Sequence, residues 1–221
     1  MTAMKCAACA HPLPETAKFC PECGHRVTGV DDGERRHATI LFSDLSGYTA
    51  LNESLDPEEV EAIMDRVKRA ATLVVARHGG IINQFVGDEV VALFGIPTAR
   101  RDDAVRAVRA ATDLHREVRD IAAEVAPRIG RVLAMHSGIN TGLIVARRSD
   151  ARDGKFALTG DVVNTAARLL NLAGKDEIVV GHDTWREVEG EFEGEAGAAT
   201  EVRGKERPIV PWRILAARAS T

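Results

Sequence analysis

Hydrophobic and polar positions follow two periods along this chain, and each change of period marks an element. Residues 37–43 read HATILFS, with Ile40, Leu41 and Phe42 in an unbroken run, and predict a buried strand. From Pro57 onward Val60, Ile63, Met64, Val67, Ala71, Val74 and Val75 recur three and four apart, the spacing of one helix face. Pro57 suits the first turn of that helix, where its missing N–H costs nothing, and His78-Gly79-Gly80 ends it. IINQFVGDEVVALFG (81–95) holds two apolar runs around Gly87-Asp88, which is a hairpin signal. Residues 102–126 repeat the helical pattern, closed by Pro127, and residues 131–146 predict two strands broken at Asn140-Thr141-Gly142. Residues 160–174 predict a third helix, EIVVG (177–181) a strand and HDTWREV (182–188) a short helix. TEVRG (200–204) with PIVPWRIL (208–215) predicts a final hairpin. The order β-α-β-β-α-β predicts an α+β sandwich on a ferredoxin-like core.

Composition changes this picture mainly by exclusion. The 221 residues, 45% hydrophobic and 28% charged, suit one good-sized domain with a small appendage. The net charge of −4, with both signs mixed along the chain, lacks the basic stripe of a nucleic-acid binder. No apolar run reaches membrane-spanning length, and the first residues carry no apolar signal core, so a cytoplasmic protein is expected, with no membrane partner.

The four cysteines stand together near the front: Cys6, Cys9, Cys20 and Cys23 form two C-x-x-C pairs. Each short pair can turn two thiolates toward one metal, as in a tetrahedral zinc site, and a pair of disulfides is disfavoured in a reducing compartment. FCPECGHRV resembles a zinc knuckle, and the segment as a whole resembles bacterial zinc ribbons. A piece this small draws most of its stability from one structural Zn²⁺. The expected division is a ribbon over 1–27, a polar linker over 28–36 and a second unit over 37–217.

The buried strand of the second unit runs straight into Asp44, with Gly47 and a helix start close behind. Asp88 sits at the predicted hairpin tip. If that hairpin lies beside the first strand, the two carboxylates meet, and a divalent cation relieves their repulsion. Hard oxygen ligands select Mg²⁺ or Mn²⁺, especially where phosphates complete the shell, and backbone N–H groups after Gly47 can meet a phosphate. Singly, each aspartate also reads as turn or cap chemistry. On the third helix, Asn164 and Arg168 are four apart and share a face. They read either as a surface hydrogen bond and ion pair or as a clamp on a phosphoryl group. His136 reads as a packed histidine, Trp185 and Trp212 as core or rim packing, and His115 as exposed or partner-facing. Neither a Ser-His-Asp set nor a P-loop is visible.

ILFSDLSGYT, INQFVGDEVVALFG, HSGINTG and LTGDVVNTAARL occur in the order and spacing of the class III nucleotidyl cyclase catalytic domain, and the resemblance covers roughly residues 37 to 215. It implies a ferredoxin-like α+β domain that pairs head to tail as a homodimer. It implies conversion of ATP to 3′,5′-cyclic AMP and pyrophosphate, with two Mg²⁺ or Mn²⁺ per site. Carried over residue by residue, Asp44 and Asp88 resemble the metal-binding aspartates, and Leu45 the residue whose backbone carbonyl adds a ligand. Asn164 resembles the ribose-orienting asparagine and Arg168 the transition-state arginine. VRGKERP resembles the strand with a cationic phosphate contact, which points to Arg203, with Lys205 as the runner-up.

The chain departs from the family pattern at base recognition. Gln84 stands where adenylyl cyclases of this family usually have lysine, and Ala157 where they usually have aspartate or threonine. A glutamine amide can turn either way toward adenine or guanine, and alanine offers no polar group. Weak base selectivity follows, with GTP as a second substrate beside ATP. The competing expectation is a catalytically degenerate domain that binds nucleotide or a signalling partner.

Overall fold

Burial on both faces explains the unbroken apolar run at residues 40–42. They lie in β3 (Glu34–Ser46), an interior strand of an eight-stranded sheet. The computed structural model describes residues 4–6, 8–14, 17, 19–25, 34–129, 133–148, 155–200 and 208–219. At its N-terminus β1 (Met4–Lys5) and β2 (Pro12–Leu13) pair as a small antiparallel sheet. After β3 come α1 (Tyr48–Ser54), α2 (Pro57–Arg77), β4 (Ile81–Val86), β5 (Glu89–Phe94) and α3 (Asp103–Ile129). Then follow β6 (Ala134–Arg148), β7 (Phe156–Thr159), α4 (Asp161–Leu172), β8 (Ile178–Val180), α5 (His182–Val188), β9 (Phe192–Ala196) and β10 (Trp212–Ala217).

The strand order is β4-β5-β3-β6-β8-β10-β9, with β7 paired to β6, and β6–β8 is the parallel pair. The first four strands and the helices between them make the ferredoxin-like core that the element order predicts. Alternation along β3 divides its side chains between two cores. Leu41 and Leu45 join α2 and α3 on one face, while Ala38, Ile40 and Phe42 join α4 and β7 on the other. All seven apolar positions expected on α2 are buried.

Three expectations need correction, and one strand was not expected. β6 is one continuous strand, because Asn140, Thr141 and Gly142 lie opposite Ile40, Thr39 and Ala38 of an unbroken partner. Its polar side chains are satisfied inside: Thr141 shares a 2.9 Å hydrogen bond with Thr39, and Asn140 Nδ2 donates to the Val162 carbonyl at 3.3 Å. Pro127 lies inside α3 rather than closing it: the helix runs two residues further, to Ile129, although the proline lacks an N–H for the carbonyl one turn back. The final hairpin partner of β10 is β9, at 192–196. Of the expected TEVRG strand Thr200 bridges Ile209, and Glu201 to Gly204 lie outside the described residues. Finally, β7 is a strand that apolar periodicity did not reveal.

Candidate active site

Asp44 lies two residues before the end of β3, so the strand does not stop at the carboxylate but carries it past the core. Ser43 pairs with Val90 of β5, which brings Asp44 level with the β4–β5 turn. That turn holds Asp88, and the two carboxylates come within hydrogen-bonding reach. Burial first, and then the Asp44 charge, push Asp88 up to about 6. Glu89 is also raised, by burial and by both aspartates, so it belongs to the same acidic group. On the other side of β3, His136 stands opposite Asp44, its Nε2 3.9 Å from Asp44 Oδ2 and its Nδ1 3.0 Å from Ser46 Oγ. It is half-buried rather than a core residue.

A divalent cation fits this donor set. The donors are hard oxygens, and like charge already crowds them, so a cation lowers the energy of the pair. Leu45 is buried in the core on the α2 and α3 side, which leaves only its main chain for such a role. Gly47 turns the chain from β3 into α1 with φ 97°, a left-handed conformation that suits glycine.

Asn164 and Arg168 sit one turn apart on α4, exposed and half-buried respectively. The helix buries Thr165, Ala166, Leu169 and Leu170, and Val162 and Val163 pack partly covered against the same core. It lies over β6, β3 and β8, whereas Asp88 is carried by the β4–β5 turn. The acidic pair and the amide–guanidinium pair are therefore supplied by different parts of one sheet face. Gln84 on β4 and Ala157 on β7 are both exposed. Arg203 and Lys205 lie outside the described residues.

The ribbon cysteines meet as their spacing requires. Their four sulfurs lie within 4.8 Å of one another, with Cys6–Cys23 and Cys9–Cys20 both at 3.6 Å, and none is disulfide-bonded. A tetrahedron with bonds of about 2.3 Å separates sulfurs by roughly 3.8 Å, so the cluster fits Zn²⁺. The two Cys turns are matched: Ala10 N–H bonds the Cys6 carbonyl at 2.8 Å and Gly24 N–H the Cys20 carbonyl at 2.9 Å.

A Ser-His-Asp chain is present after all. His115 Nε2 lies 2.8 Å from Ser137 Oγ, its Nδ1 3.3 Å from Asp176 Oδ1, and Ser137 continues to Ser43 at 2.7 Å. His115 is not exposed: burial holds it down to about 4, against the opposing pull of Asp176. Ser137 is 0% exposed, so no substrate reaches it, and the chain serves to tie α3 to β6 and β3. Trp185 and Trp212 stack with ring centroids 4.5 Å apart, as the packing role expected of them requires. Sequence spacing gives no signal for the His115 chain, because its members lie on separate elements.

The model of the adenylate and guanylate cyclase catalytic domain family matches residues 30–214, and that of a zinc-ribbon domain matches residues 5–27. The fold is similar to the adenylyl cyclase CyaB from P. aeruginosa, at 27% identity and TM-score 0.79, over 85% of this chain and 97% of that one. It is also similar to the guanylyl cyclase Cya2, at 31% identity and TM-score 0.77, over 84% and 95% of the two chains. A protein of Rhizobium meliloti is 30% identical over 214 residues, which is 90% of this chain and 19% of its own length. Mycobacterium bovis has a relative 32% identical over 145 residues, 64% of this chain and 25% of its own length. The chain thus spans about a fifth to a third of the length of the curated relatives it matches here. Among the described residues no helix is long and apolar enough to cross a membrane.

Proposed function

Because the chain belongs to the adenylate and guanylate cyclase catalytic domain family, we propose that it converts ATP to 3′,5′-cyclic AMP and pyrophosphate, with GTP as a second substrate. The observation that carries this reading is the meeting of Asp44 and Asp88 at the end of β3. Asp44, Asp88 and the Leu45 main chain would hold two Mg²⁺ or Mn²⁺. Bound there, the cations would supply acidification of the ribose 3′-hydroxyl and charge neutralisation for the triphosphate and its leaving group.

The residues of the chain divide the remaining work. Asn164 orients the ribose so that its 3′-oxygen lines up with the α-phosphorus. A bond forms between these atoms, the bond to pyrophosphate breaks, and the 3′-hydroxyl proton passes to solvent. Arg168 offsets the charge that grows on the α-phosphoryl oxygens, and its loss costs on the order of 10²–10³ in rate. Gly47, and Arg203 or Lys205, contact the outer phosphates. Gln84 and Ala157 face the base, and their chemistry favours relaxed selectivity: an amide can serve either purine and a methyl serves neither.

The site is shared between two copies in a head-to-tail homodimer, one giving the carboxylates and its twin Asn164 and Arg168. The placement of Asp44 near the end of β3 and Asp88 on the β4–β5 turn, with the donor pair on α4, supports this division. The catalytic domain expected over 37–217 takes in residues 34–36 as well, because β3 begins at Glu34 and pairs with β6 from there; the remainder of the expected linker, 28–33, joins it to a ribbon over 1–27 that holds one structural Zn²⁺.

Direct detection of cyclic product from ATP and GTP, with Mg²⁺ or Mn²⁺, tests the reading. Asp44→Ala and Arg168→Ala chains are inactive alone and regain about one working site per heterodimer when co-expressed. Co-purified heterodimers without activity overturn the shared site. Nucleotide binding with no cyclic product in the wild type would favour the degenerate domain instead.

A further inference from the structure

We propose that Asn83 is a clasp that closes the nucleobase pocket, and hence a positioning residue for substrate binding. The proposal rests on the reading of Gln84 and Ala157 as base-facing groups.

The argument starts from an irregularity in β4. Ile82 pairs with Ala92 and Gln84 with Val91, so Asn83 is an extra residue without a partner of its own on β5. Such a bulge re-aims a side chain that regular alternation would send elsewhere. Asn83 is accordingly 6% exposed, while the next residue, Gln84, is open to solvent. A buried carboxamide needs partners for both its oxygen and its nitrogen. Both are found on one residue of β7: Phe156 N–H donates to Asn83 Oδ1 at 2.8 Å, and Asn83 Nδ2 donates to the Phe156 carbonyl at 3.2 Å. The side chain thus presents to Phe156 the same donor and acceptor that a neighbouring strand would.

The place of this bond gives it consequence. In the sheet, β5, β3 and β6 stand between β4 and β7. Laid flat, that order would hold β4 and β7 roughly 19 Å apart. The bond therefore requires the end of β6 to curl β7 back over the sheet face. Ile81, Phe156 and Leu158 pack against the α4-side core beneath the curl. Apolar packing of this kind is nondirectional, so it permits β7 to slide, whereas a two-point amide bond fixes its register. Gln84 and Ala157 each follow directly after a clasp residue. The clasp thereby sets the width and offset of the gap in which a purine would lie.

The test compares wild type, Asn83→Ala and Asn83→Asp in the full chain. The aspartate keeps the acceptor for Phe156 N–H but faces the Phe156 carbonyl with a second oxygen. In Asn83→Ala the KM for ATP and GTP rises about tenfold, with kcat changed by less than about threefold, because pre-organisation of the base site is lost while metal and phosphate groups stay in place. Asn83→Asp falls between. Inhibition by inorganic tripolyphosphate, which has no base, stays within about twofold of wild type in both variants. A parallel loss of tripolyphosphate affinity, or of kcat, overturns the proposal, since it marks general damage. If Asn83→Ala does not fold, the Asn83→Asp comparison decides by the same criteria. Unchanged KM beside an active wild type overturns the proposal alone; a wild type that binds neither nucleotide overturns it together with the reading beneath it.

Discussion

Gly138 is where α4 comes closest to the sheet, and an alanine there measures how far the candidate site depends on that approach. A Cβ at this position would stand 2.7 Å from Leu170 Cα, with Leu170 N and the Ala166 carbonyl oxygen nearer still. These are backbone atoms of a helix, so no side-chain rotation relieves them. Reaching an ordinary contact of 3.4 Å requires α4 to retreat by at least about 0.7 Å, and by more at the two nearer atoms. Overpacking of this sort costs about 2–3 kcal/mol, toward the upper end of its usual range because the added methyl meets helix backbone that no side-chain rotation can move. For a chain of this size that lowers Tm by roughly 5–10 °C. Asn164 and Arg168 ride on the displaced helix, and a misplacement of about 1 Å reduces turnover on the order of 10²-fold. Gly190→Ala, where an added Cβ meets nothing within 4 Å, is the control. The assay is calorimetric unfolding together with cyclic-product formation below the transition of the variant. If Gly138→Ala retains both the wild-type Tm and the wild-type kcat, the helix is not held by this contact and the reasoning fails.

Two other outcomes follow from buried and metal-binding groups. His115 is held to about 4 by burial, against an ordinary value of 6.5. Between those values the unfolded chain binds the extra proton, so stability falls as pH drops from about 6.5 to about 4 and then levels, by up to about 3 kcal/mol. Urea unfolding across that range shows the slope in wild type and its loss in His115→Gln; equal slopes would refute the assignment. Removing zinc with a chelator, or replacing Cys6 with serine, unfolds the ribbon and makes the 4–25 segment protease-sensitive, while Tm of the catalytic domain moves by less than about 2 °C, because a domain this small depends on its metal. A ribbon that resists protease after complete zinc removal contradicts that dependence.

Much of the fold was legible locally. The face of α2, the Gly87-Asp88 hairpin, the burial of residues 40–42 and the cysteine pairs follow from periodicity, turn chemistry and ligand spacing, which act over a few residues. Asp44, Asp88, Asn164 and Arg168 were visible because their motifs are contiguous. What the tertiary structure alone decided involves partners distant in the chain. β6 is unbroken because β3 supplies a matching edge, a fact absent from Asn140-Thr141-Gly142 themselves. β7 carries too few residues to show a period, and its place depends on a side chain of β4. His115 is buried because Ser137 meets it inside the core and Asp176 reaches its other ring nitrogen from the surface, and no period on α3 records that company. Local patterns specify which face of an element seeks the core; which polar groups can follow it there depends on whether the fold brings them partners.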